Sequence, residues 1–282
     1  MTAKRLKTYA SFVKIEHTLF SLPLIFSGLL LHQRGWPGQR LIGLLLLAAV
    51  GARVVAMGLN RLIDQDLDAK NPRTQQRELP RGALQRREAW AIVALGAAVY
   101  LVCAWAIAPI CFWLSPVPLF LFALYPFLKR FTAFAHLGLG LAWAMGPLAG
   151  WLASAKTLSG LADEVGWLWW FAVLWVTGFD IIYATMDEAH DRQAKLHSLP
   201  ALFGSGPALR IAAILHAAAF LALTILWQEQ LYSPIAFRWL LGVGALFIWQ
   251  HAVAARRPAF AFFQLNGAIG FLALGMVLAG MR

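Results

Sequence analysis

The chain has 282 residues, 60% of them hydrophobic and 13% charged, with a net charge of +11 and a mean hydropathy of +0.65. A soluble domain is roughly 45–50% apolar and about 25% charged, so the surplus must face lipid rather than enlarge a core. In a soluble protein such basicity would point to nucleic acid; here Lys and Arg sit in short connections between apolar runs, the pattern of membrane loops, and nucleic acid is not an expected partner.

A helix crossing about 30 Å of hydrocarbon needs about 20 apolar residues. No cleavage-type sequence follows the basic start, so the first apolar run, Ile15–Leu31, is expected to remain as a span. Leu41–Ile63 is the second. Ala89–Leu128 carries no charge and, at about 1.5 Å per residue, is too long for one crossing. Pro109 and the cluster Ser115, Pro116, Val117 and Pro118 mark the expected turn within it. Phe134–Leu152, Val165–Met186, Ala208–Trp227, Ile235–Val253 and Phe260–Met281 bring the expected total to nine spans. The expected fold is an all-α polytopic bundle forming one membrane-embedded domain over 1–282. Cys103 and Cys111 lie in apolar surroundings and read as buried spacers rather than a disulfide or metal pair.

Charge sets the orientation. With a cytoplasmic N-terminus, that face carries Lys4, Arg5, Lys7, Lys14, the 61–87 connection, Lys129, Arg130, Arg192, Lys195, Arg256 and Arg257. The other face keeps Arg34, Arg40, Lys156, Arg238 and Arg282. Such asymmetry orients a membrane protein, and a bacterial inner (plasma) membrane is the expected location.

Two polar segments interrupt the apolar chain, Asn60–Gly82 and Asp180–Pro200. In the first, Asn60, Asp64 and Asp68 are spaced i, i+4, i+8 along one helix face; in the second, Asp187 and Asp191 are i, i+4 with Asp180 seven residues upstream. Like charges at that spacing repel, and a cation between them turns the cost into a binding site. The segments end the second and sixth spans, four crossings apart, so both open on one membrane face, the cytoplasmic one. Paired carboxylates there suit Mg2+, which takes one or two carboxylates plus substrate phosphates.

Basic residues indicate what such a cation binds. Arg73, Arg77 and Arg81 follow the first cluster, Arg192 and Lys195 the second, and Lys129 comes from the connection between them. Carboxylates and cations without a Gly-rich phosphate loop suit a metal-bridged diphosphate, and an apolar bundle behind it suggests a lipid tail. Each basic residue can equally serve topology. A lone Asp at a helix end is usually a cap or solvated, but several in two registers on one face are not. Asp66 points about 200° away from Asp64 and reads as solvated, as do Glu78, Glu88 and Glu188. Arg53, seven residues before Asn60 inside a span, pairs structurally with Asp180 or another acid, or receives a substrate carboxylate. Tyr125 and Lys129 are i, i+4 at the end of the fourth span, where a snorkelling Lys is the plain alternative. Tyr183 is a further substrate-binding candidate in the second segment. The His residues, His17, His190 and His197 among them, show no metal-site spacing.

On these residues the chain resembles the UbiA superfamily of intramembrane aromatic prenyltransferases. The likeness rests on NxxxDxxxD at Asn60, Asp64 and Asp68, DxxxD at Asp187 and Asp191, YxxxK at Tyr125 and Lys129, and Arg77 followed by Leu79, Pro80, Arg81 and Gly82. Glu78 replaces the more common Pro of that last pattern. The resemblance implies nine spans, Mg2+ held by Asp64, Asp68, Asp187 and Asp191 around a polyprenyl diphosphate, and ionisation to an allylic cation that an electron-rich arene attacks. Arg53 matches an Arg at the same offset in 4-hydroxybenzoate prenyltransferases. The opening KIEHTLFSLPLIFSG looks more like the menaquinone-pathway branch, leaving the aromatic acceptor open between 4-hydroxybenzoate and a dihydroxynaphthoate. Haem and chlorophyllide remain other acceptors within the family. The polyprenyl tail would pass laterally into membrane lipid. A secondary transporter is the rival class, but transporter sites lie near the midplane on broken helices.

Overall fold

The computed structural model describes residues 3–14 and 18–281. The Ile15 start of the first expected span, His17 and Arg282 lie outside them. Every regular element among the described residues is helical. In order these are α1 (Ala3–Val13), α2 (Thr18–Gln33), α3 (Gln39–Ile63), α4 (Gln65–Lys70), α5 (Arg86–Ile107), α6 (Pro109–Leu114), α7 (Pro116–Leu128) and α8 (Ala135–Ala155). There follow α9 (Leu161–Ala184), a 3-10 turn (Thr185–Asp187), α10 (Glu188–Gln193), α11 (Leu199–Phe203), α12 (Ser205–Gln230), α13 (Pro234–Ala254), α14 (Pro258–Phe260), a π turn (Ala261–Leu265) and α15 (Asn266–Gly280).

Eight helices among the described residues are long and apolar enough to cross a membrane, and the first expected span is the shorter apolar stretch Phe20–Gln33. The chain is an integral membrane protein. The uncharged run from Ala89 divides at Ala108, not at the Ser115–Pro118 cluster. Ala108 is extended, with φ −165° and ψ 152°, and Pro109 opens the next helix. The residue before a proline is pushed out of the helical region, whereas proline's missing N–H costs nothing at a helix start. Ser115 keeps helical angles, so Pro109–Leu128 continues as one crossing.

The chain forms two compact units. One comprises Met1–Thr18 and Gln39–Phe127. In it α3 and α5 pack through small residues: a Cβ on Gly51 would lie 2.7 Å from the Gly96 carbonyl, so their backbones touch. Phe12 of α1 is fully buried against this pair. Gln85 and Glu88 form a capping box at the start of α5, with the Gln85 N–H donating to Glu88 at 3.0 Å.

The other unit comprises Leu19–Gly38 and Leu128–Arg282. Its centre is α9, whose Phe171, Trp175, Ile181 and Ile182 are buried among α8, α12 and the C-terminal helices. Several buried polar groups here find partners within the bundle, which hydrocarbon cannot supply. Trp175 Nε1 donates to Asn266 at 2.9 Å, and Gln250 Nε2 to the Ala261 carbonyl at 2.9 Å across the π turn. His216 Nε2 donates to the Trp175 carbonyl at 3.1 Å, leaving Nδ1 to accept from His251 at 2.9 Å.

Candidate active site

The first acidic motif straddles a helix break. α3 ends at Ile63 and α4 begins at Gln65, with Asp64 between them at φ −95° and ψ 7°. The i to i−4 hydrogen bonds nevertheless continue, from Asp64 N–H to the Asn60 carbonyl at 3.0 Å and from Asp68 N–H to Asp64 at 2.8 Å. The stripe read from spacing therefore survives the break. Asn60 Nδ2 donates to Asp64 Oδ2 at 3.3 Å, and Asp64 and Asp68 are buried while Asp66 is exposed.

The connection after α4 folds back on the motif. Thr74 Oγ1 donates to the Asp68 carbonyl at 3.1 Å, and Arg77 Nη1 meets Asp68 Oδ1 at 2.7 Å and Oδ2 at 2.8 Å. Arg73 and Arg81 are exposed. Glu78 corrects the solvated reading: it is only 6% exposed, accepting from Arg61 Nη1 at 3.3 Å and Ser11 Oγ at 2.6 Å. Burial alone would raise its carboxyl. The Ser11 hydroxyl, its own backbone N–H and the charges of Arg61 and Arg81 outweigh this and hold it below the ordinary 4.5. Glu88 is likewise engaged, by Tyr9 at 3.3 Å and Arg5 at 3.4 Å as well as by its cap. Arg53 is half-buried in α3 and Tyr125 half-buried in α7.

The second motif repeats the local design in the other unit. α9 gives way to the 3-10 turn, and Asp187 precedes α10 at φ −111° and ψ 4°, close to the angles of Asp64. Each Asp begins a six-residue helix without spending its side chain on the cap, and each is followed one turn later by a second Asp. Asp187 and Asp191 are half-buried. Asp187, Lys129, His190 and Ser198 surround Asp191. Lys129 is held nearby, its carbonyl accepting from His197 N–H at 2.8 Å.

Asp180, a last-turn residue of α9, has its Oδ2 2.6 Å from His136 Nδ1. His136 Nε2 lies 3.2 Å from the Leu199 backbone N–H, which can only donate. The tautomer follows: Nε2 accepts, and Nδ1 carries the proton that Asp180 receives. Tyr183, on the same helix, packs against Phe262 of the π turn, with ring centroids 4.3 Å apart and planes tilted by 41°. Arg192 turns to Glu188 at 2.9 Å and to the Ala201 carbonyl at 3.3 Å, with 60% of its side chain exposed. Glu188 in turn accepts from Ser205, so it too is engaged rather than solvated. Lys195 is exposed and left-handed, at φ 54°.

Arg61, Ser11 and His136 occupy no defining position of any motif in the sequence. A charge beside Asn60 inside a span was the available signal for Arg61. For the other two the partners are 67 and 44 residues away, which no local pattern reports.

No group of three or more His, Cys, Asp or Glu side chains among the described residues could hold a metal ion on its own. Each motif instead offers a pair of carboxylates. That donor set fits Mg2+, which needs only one or two when substrate phosphates complete its shell.

A family model described as the UbiA prenyltransferase family matches residues 21–278. The chain belongs to the UbiA prenyltransferase family. It is therefore a prenyltransferase. A UbiA homolog from Aeropyrum pernix K1 superposes with a TM-score of 0.87 at 33% identity, over 95% of this chain and 99% of that one. A UbiA homolog from Archaeoglobus fulgidus bound to GPP and Mg2+ shares the fold at 18% identity, with a TM-score of 0.72 over 97% and 99% of the chains. Curated relatives include the 4-hydroxybenzoate octaprenyltransferase of Vibrio cholerae, 29% identical over 99% of both chains. That of Alcanivorax borkumensis is 34% identical over 85% of this chain and 83% of its own.

Proposed function

We propose that this enzyme transfers a polyprenyl group from polyprenyl diphosphate to a phenolic aromatic carboxylate of the 4-hydroxybenzoate type, in quinone biosynthesis, with Mg2+. The observation that carries this reading is the twice-used arrangement of an Asp opening a six-residue helix with a second Asp one turn on. The named activity of the Vibrio cholerae and Alcanivorax borkumensis relatives supports the acceptor class.

Asp64 and Asp68 in one unit, and Asp187 and Asp191 in the other, would hold Mg2+ in this scheme. Bound Mg2+ supplies neutralisation of the diphosphate's charge. Asn60 orients Asp64 by its hydrogen bond, and Arg77 orients Asp68. Lys129 and Arg192 supply further positive charge for the leaving group. The allylic C–O bond breaks, the diphosphate departs with the electron pair, and the ring carbon of the acceptor bonds to the allylic carbon. The ring then releases its proton, which balances the diphosphate's new charge. Arg53 receives the acceptor's carboxylate in a fork that a planar anion matches. The apolar spans keep water from trapping the cation as an alcohol. The excess of Lys and Arg on one set of loops supports a cytoplasmic opening in the inner membrane.

Purified enzyme incubated with radiolabelled polyprenyl diphosphate and a panel of acceptors tests the reading. Prenylated 4-hydroxybenzoate should form with Mg2+, cease in excess EDTA and return on Mg2+ addition. Undiminished product in EDTA, or no product with any phenolic carboxylate, would remove it.

A further inference from the structure

We propose that Glu78 is a positioning residue that sets the geometry of the first aspartate motif through Arg61. The proposal rests on the reading of that motif as the metal and diphosphate site.

Arg77 and Glu78 are consecutive, yet they reach opposite ends of the helix break at Asp64. Arg77 grips Asp68, beyond the break in α4, and Glu78 grips Arg61, before it in the last turn of α3. One stretch of backbone thus ties both arms of the bend. The stretch itself is stiff: Arg77 N–H donates to Thr74 at 2.9 Å, Leu84 N–H donates to the Glu78 carbonyl at 3.1 Å, and Leu79 and Leu84 are buried. Moving Glu78 must move Arg77, and with it the carboxylate of Asp68.

Charge favours the same role. The Arg61 and Glu78 side chains are 3% and 8% exposed. Removing two charges from water costs about as much as their attraction returns, so such a pair contributes little net stability. What it contributes is direction, because a guanidinium and a carboxylate accept few mutual poses. Ser11 completes the arrangement, donating to the Glu78 oxygen at 2.6 Å, so α1 takes part in holding the motif.

The test uses the full-length enzyme in lipid, with kcat, the KM of each substrate, the Mg2+ midpoint and Tm measured for each variant. Glu78→Gln should raise the prenyl diphosphate KM and the Mg2+ midpoint about 10–100-fold, the range typical of lost outer-shell partners, while the acceptor KM stays put. The double change Arg61→Met with Glu78→Met removes the charges but keeps apolar bulk; it should retain Tm and show the same selective defect. Ser11→Ala deletes one neutral hydrogen bond and should shift the same two constants in the same direction, less far. It decides the matter if the other variants fail to fold. Loss that falls equally on both substrates and follows the folded fraction overturns the proposal, as do wild-type kinetics in any folded Glu78 variant, or in Ser11→Ala where no Glu78 variant folds. Asp64→Ala run alongside separates the two claims: if it stays active, the reading of the motif itself has failed; if it is dead while the Glu78 variants behave as wild type, only the positioning role has.

Discussion

Arg77 meets both carboxylate oxygens of Asp68 with a single guanidinium nitrogen, at 2.7 and 2.8 Å. The contact leaves the rest of the guanidinium fork for a second anion, so one Arg can orient an acidic side chain and face a phosphate together. Arg77→Lys keeps the charge but loses that capacity. Its kcat/KM for prenyl diphosphate should fall about 10–100-fold at saturating acceptor. Steady-state kinetics giving wild-type values would show that Asp68 needs no such partner.

Helix geometry separates Asp64 from Asp66. The first is 2% exposed and bonded to Asn60, the second faces away and is exposed. Asp64→Ala should lose nearly all turnover, and Asp66→Ala should keep most of it, with yields of folded protein compared in parallel. Equal loss in two well-folded variants would mean that the motif is not read by one helix face.

Arg53 carries a prediction about substrate selectivity. Truncating one partner of a desolvated charge pair commonly costs about 2–5 kcal/mol. Arg53→Lys should therefore raise the acceptor KM strongly and the prenyl diphosphate KM little. A selective rise for the diphosphate would move Arg53 to the other substrate.

Glu78 makes folding pH-dependent in a defined direction. Its folded carboxyl titrates below the ordinary 4.5, so the unfolded chain binds the proton more readily. The stabilisation is fully present above that ordinary value and is lost as pH falls through the lower folded one. The Tm difference between wild type and Glu78→Gln should be constant near neutrality and shrink as pH drops below 4.5. A difference that grows on acidification would reverse the sign and contradict the paired, ionised carboxylate.

The spans were legible because lipid leaves a compositional mark on every crossing residue, and the break at Ala108 could be placed only within a proline-rich region. The Asn60, Asp64 and Asp68 stripe was legible because the i to i−4 bonds run through the break. The break itself was not, since the same spacing describes a straight helix. Glu78 misled for a physical reason. Its loop position argued for solvent, whereas its burial depends on Ser11, 67 residues away, and on Arg61 in the preceding span. Asp180 was open to pairing with Arg53 or another group; the hydrogen bond from His136, 44 residues away, gives it a neutral donor instead of a charge read from local spacing.

The six-residue helices that begin at Gln65 and Glu188 are shorter than any helix that persists alone in water, where about 12–15 residues are already marginal. Their order is borrowed from loops and side-chain pairs, while α3 and α9 are held by lipid-length packing. Local opening should therefore be cheap at the acidic ends and expensive a turn further in. Amide deuteration ought to reach residues 65–70 and 188–193 well before the adjoining spans, and equal protection would refute it. If the motifs hold the diphosphate as proposed, such a chain can loosen that grip many times per global unfolding, with release and durability governed by adjoining but separate helices.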